Sequence, residues 1–190
     1  MSVFNPASTL PARATEVLDF WFKDHGTKDW FAKNPDFDAK IRDRFAALLV
    51  EAGNGKLDSW GGTARGALAL IVVLDQFSRN LNRDGALAFA NDARALRLAR
   101  QAIAKGFHKE LALRERPFIY LPFEHSESKS DQELSVRYFI ELGDSTFLEA
   151  AKKHKAIVDR FGRFPHRNAA LGRTSTPEEI AFLAGPGSSF

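Results

Sequence analysis

The chain has no cysteine, which excludes disulfide staples, zinc fingers and thiol nucleophiles. It has no long hydrophobic run. The longest, Ala67 to Leu74, is far short of the about 20 residues that a membrane-spanning helix needs. Met1 to Leu10 holds no basic stretch followed by an apolar one, so no secretory signal is expected and a cytoplasmic protein is. No repeat of fixed period is visible. Acidic residues are scarce in one place. Residues 151–175 carry seven Lys and Arg against the single acid Asp159, a local charge of +6 that leaves −3 for the rest of a chain with net charge +3. Such segregation points to an acidic partner more firmly than a basic total does.

What is present is a chain of 190 residues with 44% hydrophobic content and 17 phenylalanines. That suits one domain, residues 1–190, with a buried core. Residues 1–9 and 185–190 read as loose tails. The rest reads as helix nearly throughout. A first helix runs from Pro11 to about Phe22. Asn34 caps a second, with Pro35 at its first position and Phe37, Ile41, Phe45, Leu48 and Leu49 on one face as far as Gly53. Asp38 and Arg42 on that helix are spaced to pair. Thr63 caps a third helix to about Leu81. Its Ala67–Leu74 stretch is apolar on every side, the pattern of a helix surrounded by others. A buried strand competes there through Ile71-Val72-Val73, but the spacing of Leu70, Leu74, Phe77 and Leu81 favours helix.

A fourth helix starts at Asn91 or Asp92 and is closed by Gly106 as a left-handed cap. A fifth, Arg114 to Glu124, contains Pro122 and is expected to kink there. A sixth starts at Ser128 or Ser130, turns Val136, Phe139 and Ile140 inward and ends at Gly143. A seventh runs from Ser145 to Arg163, with Phe147, Ala151, His154, Val158 and Phe161 on one face. It stops because Phe164 precedes Pro165. Thr176-Pro177-Glu178-Glu179 is a capping box for a last helix through Leu183. The fold class is therefore all-α, seven to eight helices packed as antiparallel hairpins in a bundle or short solenoid.

Three groups of polar residues stand out. The third helix ends in Asp75, Gln76, Arg79 and Asn80, followed by Arg83. So deep a helix needs partners or a wet cavity for them, and a buried Asp75–Arg79 pair competes with a role for Arg79, Asn80 and Arg83 in ligand binding. Glu124, His125 and Glu127 put two carboxylates beside a histidine, candidates for acid–base work, and a role in orienting the arginines or closing the loop by hydrogen bonds competes with that reading. They match no strong metal motif and lack the His-Glu-x-x-His form, so no metal ligand set and no cofactor is assigned. His154 lies on an apolar face, where a satisfied core histidine competes with a site residue, and Gln132 is a possible partner for it. The densest group is Arg160 to Asn168. Arg160, Arg163, His166 and Arg167 lie among two phenylalanines, a glycine and a proline, the make-up of a pocket wall that faces an anion. The competing reading is a structural knot in which these arginines pair with Asp75, Glu124, Glu127 or Asp159.

The stretches Asp19-Phe20-Trp21-Phe22, Trp30-Phe31, Leu74 to Asn80 with Arg83, Phe118 to Glu127, Gln132, His154, Phe161 to Asn168, Leu171-Gly172-Arg173 and Ser175 to Glu179 cover most of the chain in order. On them the chain resembles the bacterial family known as domain of unknown function 924. It departs at Ser78, where the family usually has proline. The resemblance implies an all-α fold similar to tetratricopeptide-repeat proteins, and it implies no activity.

Three functions are compatible with these residues. The first is binding of a small phosphate or carboxylate ligand, or an acidic peptide, in a concave pocket lined by Arg79, Asn80, Arg83, Arg160, Arg163, His166 and Arg167. The second is an enzyme, a hydrolase or transferase, acting on an anionic substrate with Glu124, His125, Glu127 or His154 as acid–base groups. The third and weakest is RNA binding through residues 151–175, with Phe161 and Phe164 for stacking.

Overall fold

The computed structural model describes residues 10–188, and every regular element among them is helical. The expected tail at residues 1–9 lies outside the described residues, as do residues 189 and 190. Helix α1 (Ala12–Asp19) runs directly into a π-turn over Phe20–Asp24, in which Phe20, Trp21 and Phe22 are buried in succession. After the short α2 (Thr27–Trp30), α3 (Pro35–Gly53) starts where its capping signal lies. Asn34 Oδ1 accepts from the N–H groups of Asp36 and Phe37 at 3.1 and 3.2 Å. The stripe from Phe37 to Leu49 is buried. Asp38 does not pair with Arg42; it is buried and takes Asn80 and Arg83 as its donors.

The centre of the molecule is one unbroken helical run: α4 (Ala64–Ile71), a π-turn (Val72–Phe77) and α5 (Ser78–Leu81). Thr63 Oγ1 caps it by accepting from Gly66 N–H at 3.2 Å. Every residue from Gly66 to Ser78 is buried, so the run is surrounded on all sides, as its all-round apolar sequence requires. The π-turn inserts about one extra residue into the helical winding, which rotates α5 relative to α4 by about 100°. It contains Asp75 and Gln76.

Helix α6 (Asp92–Ala104) and the short α7 (Phe107–Glu110) flank Gly106, which adopts φ 76°. Helix α8 is shorter than its sequence suggests. It begins at Pro117, a proline at its first position, and continues through Pro122 to Glu124. Helices α9 (Lys129–Leu142) and α10 (Ser145–Phe161) pack along each other with only Gly143 and Asp144 between them, an antiparallel hairpin, and α9 also packs on α8. Ile140, expected to face inward, is 58% exposed, while Phe139 is fully buried. Gly162, at φ 71°, ends α10 before the Phe164-Pro165 signal comes into play. Beyond it lie a 3₁₀ turn (Pro165–Arg167) and α11 (Pro177–Leu183).

The main core draws on α1, α3, α4, α6, α8 and α9, with Phe20, Phe45 and Phe77 stacked or edge-on to one another at 4.9–6.2 Å. A second, smaller cluster (Ile157, Val158 and Phe164, flanked by Phe161 and Phe182) anchors the C-terminal segment to α10. Among the described residues no helix is long and apolar enough to cross a membrane.

Candidate functional site

Four chain segments bring ionisable groups together: the π-turn and start of α5, the start of α6, the end of α8 and the turn after α10. Arg79 is the hub. One of its terminal nitrogens, Nη1, donates to the Asp75 carbonyl (2.9 Å), to Asp75 Oδ1 (3.1 Å) and to Asp92 Oδ1 (2.9 Å), while Nη2 reaches Asp92 Oδ2 (3.0 Å). Arg167 donates to the same Asp92 oxygen at 3.2 Å. Two guanidiniums therefore converge on one carboxylate. The Arg167 group is also sandwiched between the rings of Phe89 and Phe164, 4.6 Å from each centroid, a cation–π geometry.

Asp75 is held on its other sides by Gln76 Nε2 (2.6 Å to Oδ2) and His125 Nδ1 (2.7 Å to Oδ1). Burial alone would raise the Asp75 carboxyl, but Arg79 and His125 outweigh it and hold it well below the usual carboxylate range. An ionised Asp75 accepts, so His125 Nδ1 carries the proton of that bond. No described residue hydrogen-bonds the other ring nitrogen, Nε2. Burial and the Arg79 charge depress His125, with Asp75 opposing them, which favours the neutral ring and leaves its Nε2 as an acceptor.

Beside this pair lies a second one. Glu124, adjacent in sequence to His125, is 3% exposed. His154 Nδ1 donates to the Ala150 carbonyl at 2.9 Å and lies 3.2 Å from Glu124 Oε1. Burial, and then the negative charge of Asp75, push Glu124 up to about 8, against the pull of Arg79. Burial likewise takes His154 down to about 3 and His166 down to about 4. Glu124 and His154 thus face each other uncharged at neutral pH. Glu124 Oε2 is buried with no hydrogen-bond partner among the described residues. Gln132 does not serve His154. Its Nε2 donates to the Glu124 and Ser126 carbonyls, both at 2.6 Å, which satisfies the end of α8 and fixes the backbone that carries His125.

The remaining arginines have other partners. Arg173 forms a two-pronged pair with Glu127 (2.7 and 2.9 Å), and Glu127 also accepts from Phe164 N–H at 2.8 Å. Arg163 forms a similar pair with Glu179 (2.6 and 2.7 Å). Glu179 closes the capping box by accepting from Thr176 N–H (2.8 Å) and receives Asn168 Nδ2 (3.2 Å). Arg163 therefore ties α10 to α11, and Arg160 does so nearer the surface through Glu178. Arg83 and Asn80 both turn to Asp38 on α3, at 2.5–2.9 Å. Of the residues singled out in the sequence, Arg79, Arg167, His166, Glu124, His125 and His154 gather electrostatically in one place. Glu127 lies at its edge with Arg173, while Arg83, Arg160 and Arg163 belong to separate ion pairs and Asn80 donates to the Asp38 carboxylate that Arg83 also holds. Asp92 escaped the sequence reading as a site residue. Its only signal was a capping position 13 residues after Arg79, joined to it by no helical spacing. Among the described residues no three His, Asp or Glu side chains converge as a metal would require.

Fold and cluster define an all-α protein with a buried ionised network where the end of its central helix meets the turn after α10. The chain belongs to the family described as bacterial protein of unknown function (DUF924), which it matches over residues 17–187. It is similar to the solved structure of a protein of unknown function from Agrobacterium tumefaciens, with 40% identity and a TM-score of 0.87, over 90% of this chain and 97% of that one. No curated protein matches it.

Proposed function

We propose that the chain is an enzyme that performs acid–base chemistry, a hydrolysis or group transfer, on a small anionic substrate. The observation that carries this reading is His125. Its Nδ1 is fixed on buried Asp75, its Nε2 is left to accept a proton, and Arg79 and Arg167 are gathered beside it. In this reading His125 is the base and Asp75 sets its tautomer. Glu124, protonated up to about 8, is the nearby acid. Arg79 and Arg167 hold the anionic group of the substrate, exchanging Asp92 for it. Stability alone gives no reason for the arrangement, because well-packed apolar side chains generally match or exceed a buried ionic network, and strongly shifted groups in one cluster are what acid–base sites need. The small anion expected from the sequence is retained here as the substrate class. Phe164 is fully buried and Phe161 packs on Phe182 at 5.0 Å, so neither ring favours base stacking.

The test uses inorganic phosphate, sulfate and acetate in thermal-shift titrations, with p-nitrophenyl phosphate and p-nitrophenyl acetate as turnover probes. At least one anion is expected to raise the melting temperature of the wild type and not of Arg167→Met. His125→Gln is expected to keep that shift while losing turnover. Anion binding with no turnover of any probe would leave the simpler binding reading in its place. No shift with any anion would remove both.

A further inference from the structure

A separate cleft of about 480 Å³ opens between the segment around α2, the loop before α8 and the α9–α10 turn, and it shares no lining residue with the Asp75 cluster. Its size falls in the range of small-molecule sites. Its walls are aromatic and held in place. Trp30 is pinned by its indole N–H to the Trp21 carbonyl (2.9 Å), stacks on Trp21 (5.9 Å) and meets Phe22 edge-on (5.6 Å). Phe147, which also lines the cleft, stacks on Phe139 (5.5 Å). Phe31, 54% exposed, stands edge-on to Phe147 at 5.7 Å and extends the wall outward.

Arg114 gives the cleft its polarity. Its guanidinium lies 6.0 Å from the Phe22 ring centroid and makes no hydrogen bond or ion pair with any described residue, whereas every arginine of the Asp75 cluster and the C-terminal segment has a carboxylate partner. Asp144 also borders the cleft, but one of its carboxylate oxygens already accepts from Thr146 and Phe147 N–H at 2.9 and 3.2 Å. Rigid aromatic walls suit a flat apolar body, and an arginine without a carboxylate suits an anionic end. We propose that this cleft binds a small molecule with a planar aromatic body and one carboxylate, stacked against Trp30 and Phe147 and paired with Arg114.

The structure also supplies a way to close the site. Gly26 lines the cleft with extended backbone (φ −165°), and a Cβ placed there meets nothing within 4 Å. Gly26→Leu can therefore place a side chain at the cleft without straining the backbone. 2-Naphthoate, 2-naphthalenemethanol and 2-naphthylmethylamine share one ring system and differ in charge. Binding is followed by tryptophan fluorescence and by the Trp30 indole N–H resonance, with the melting temperature of each variant confirming that it is folded. The expected result is saturable binding of 2-naphthoate, weakened about tenfold or more by Arg114→Ala and weakened also by Gly26→Leu, while the weaker binding of the alcohol ignores Arg114→Ala. The proposal is overturned if the alcohol or the amine binds as tightly as the carboxylate. It is equally overturned if 2-naphthoate binds folded Gly26→Leu as it binds the wild type, or fails to bind the wild type at all.

Discussion

Arg79 is the side chain on which the buried charges depend. It compensates Asp75, which is 1% exposed, and shares Asp92 with Arg167. Replacing it with methionine keeps the apolar stem and removes the charge, so Asp75 loses its guanidinium partner in a buried setting. Arg79→Met is expected to lower stability by about 3–5 kcal/mol in urea unfolding. A loss below about 1 kcal/mol would mean that water already screens Asp75. By contrast Arg160→Met, which breaks an exposed pair with Glu178 and exposed cation–π contacts with Phe161 and Phe182, is expected to change stability by no more than about 1 kcal/mol. At this scale the sequence was informative about residue type and poor on partners. Three arginines with two phenylalanines in nine residues marked a crowded anionic environment, but whether Arg163 would meet a ligand or a carboxylate depended on where Glu179 arrived. No local spacing encodes a contact made through the docking of another helix.

Among the elements, the central helix does the positioning. Its start is set by a close approach. At Gly66 an added Cβ would lie 2.2 Å from the Trp60 carbonyl oxygen, which belongs to the backbone and has little freedom to move. Gly66→Ala should therefore cost about 1–3 kcal/mol, against the small gain that removing a glycine from a helix ordinarily brings. A stabilised variant in chemical denaturation would contradict that packing. The start, the apolar middle and the end of this helix were all legible in the sequence, because Thr63, the unbroken apolar run and the spacing to Leu81 are local signals. The π-turn at Val72–Phe77 was not, because the sequence pattern of one extra residue per turn is not separable from ordinary helix by periodicity. That turn sets the direction of Asp75 and Gln76, so the part of the helix that matters for the site was the least readable. The capping box at Thr176–Glu179 formed as its sequence signals. Its glutamate acts as a hub for Arg163 and Asn168 as well, which the capping motif alone does not specify.

For the whole molecule, the shifted groups set a pH profile. His154 and His166 are depressed from 6.5 to about 3 and about 4, so the unfolded chain takes up their protons first as pH falls. Their contribution to stability is complete above 6.5 and is lost on acidification through that range. Glu124 works the other way. It is raised from 4.5 to about 8, so the folded state holds a proton that the unfolded chain releases, and its contribution is complete below 4.5 and lost as pH rises toward 8. Between 4.5 and 6.5 these two histidines, with His108 and His125 depressed in the same direction, outweigh the one carboxyl, and between 6.5 and 8 Glu124 dominates the change. Stability is therefore expected to peak near pH 6.5 and to decline on the alkaline side. Glu124→Gln should flatten the alkaline decline and steepen the rise between pH 4.5 and 6.5, where Glu124 opposes the histidines. A wild-type melting temperature that is level from pH 6.5 to 8 would show that Glu124 is ionised throughout.

In the proposed reaction His125 is a neutral base, held by Asp75 and placed to act on a bound anion. Nitrogen-15 NMR of the histidine rings, recorded across pH and with added inorganic phosphate, tests it most directly. The expected spectrum has a His125 ring protonated on Nδ1 and neutral at pH 7, whose Nε2 signal moves as phosphate binds and stays still in Arg167→Met. A His125 ring that is doubly protonated at pH 7, or one whose Nε2 ignores phosphate while the protein binds it elsewhere, would contradict it.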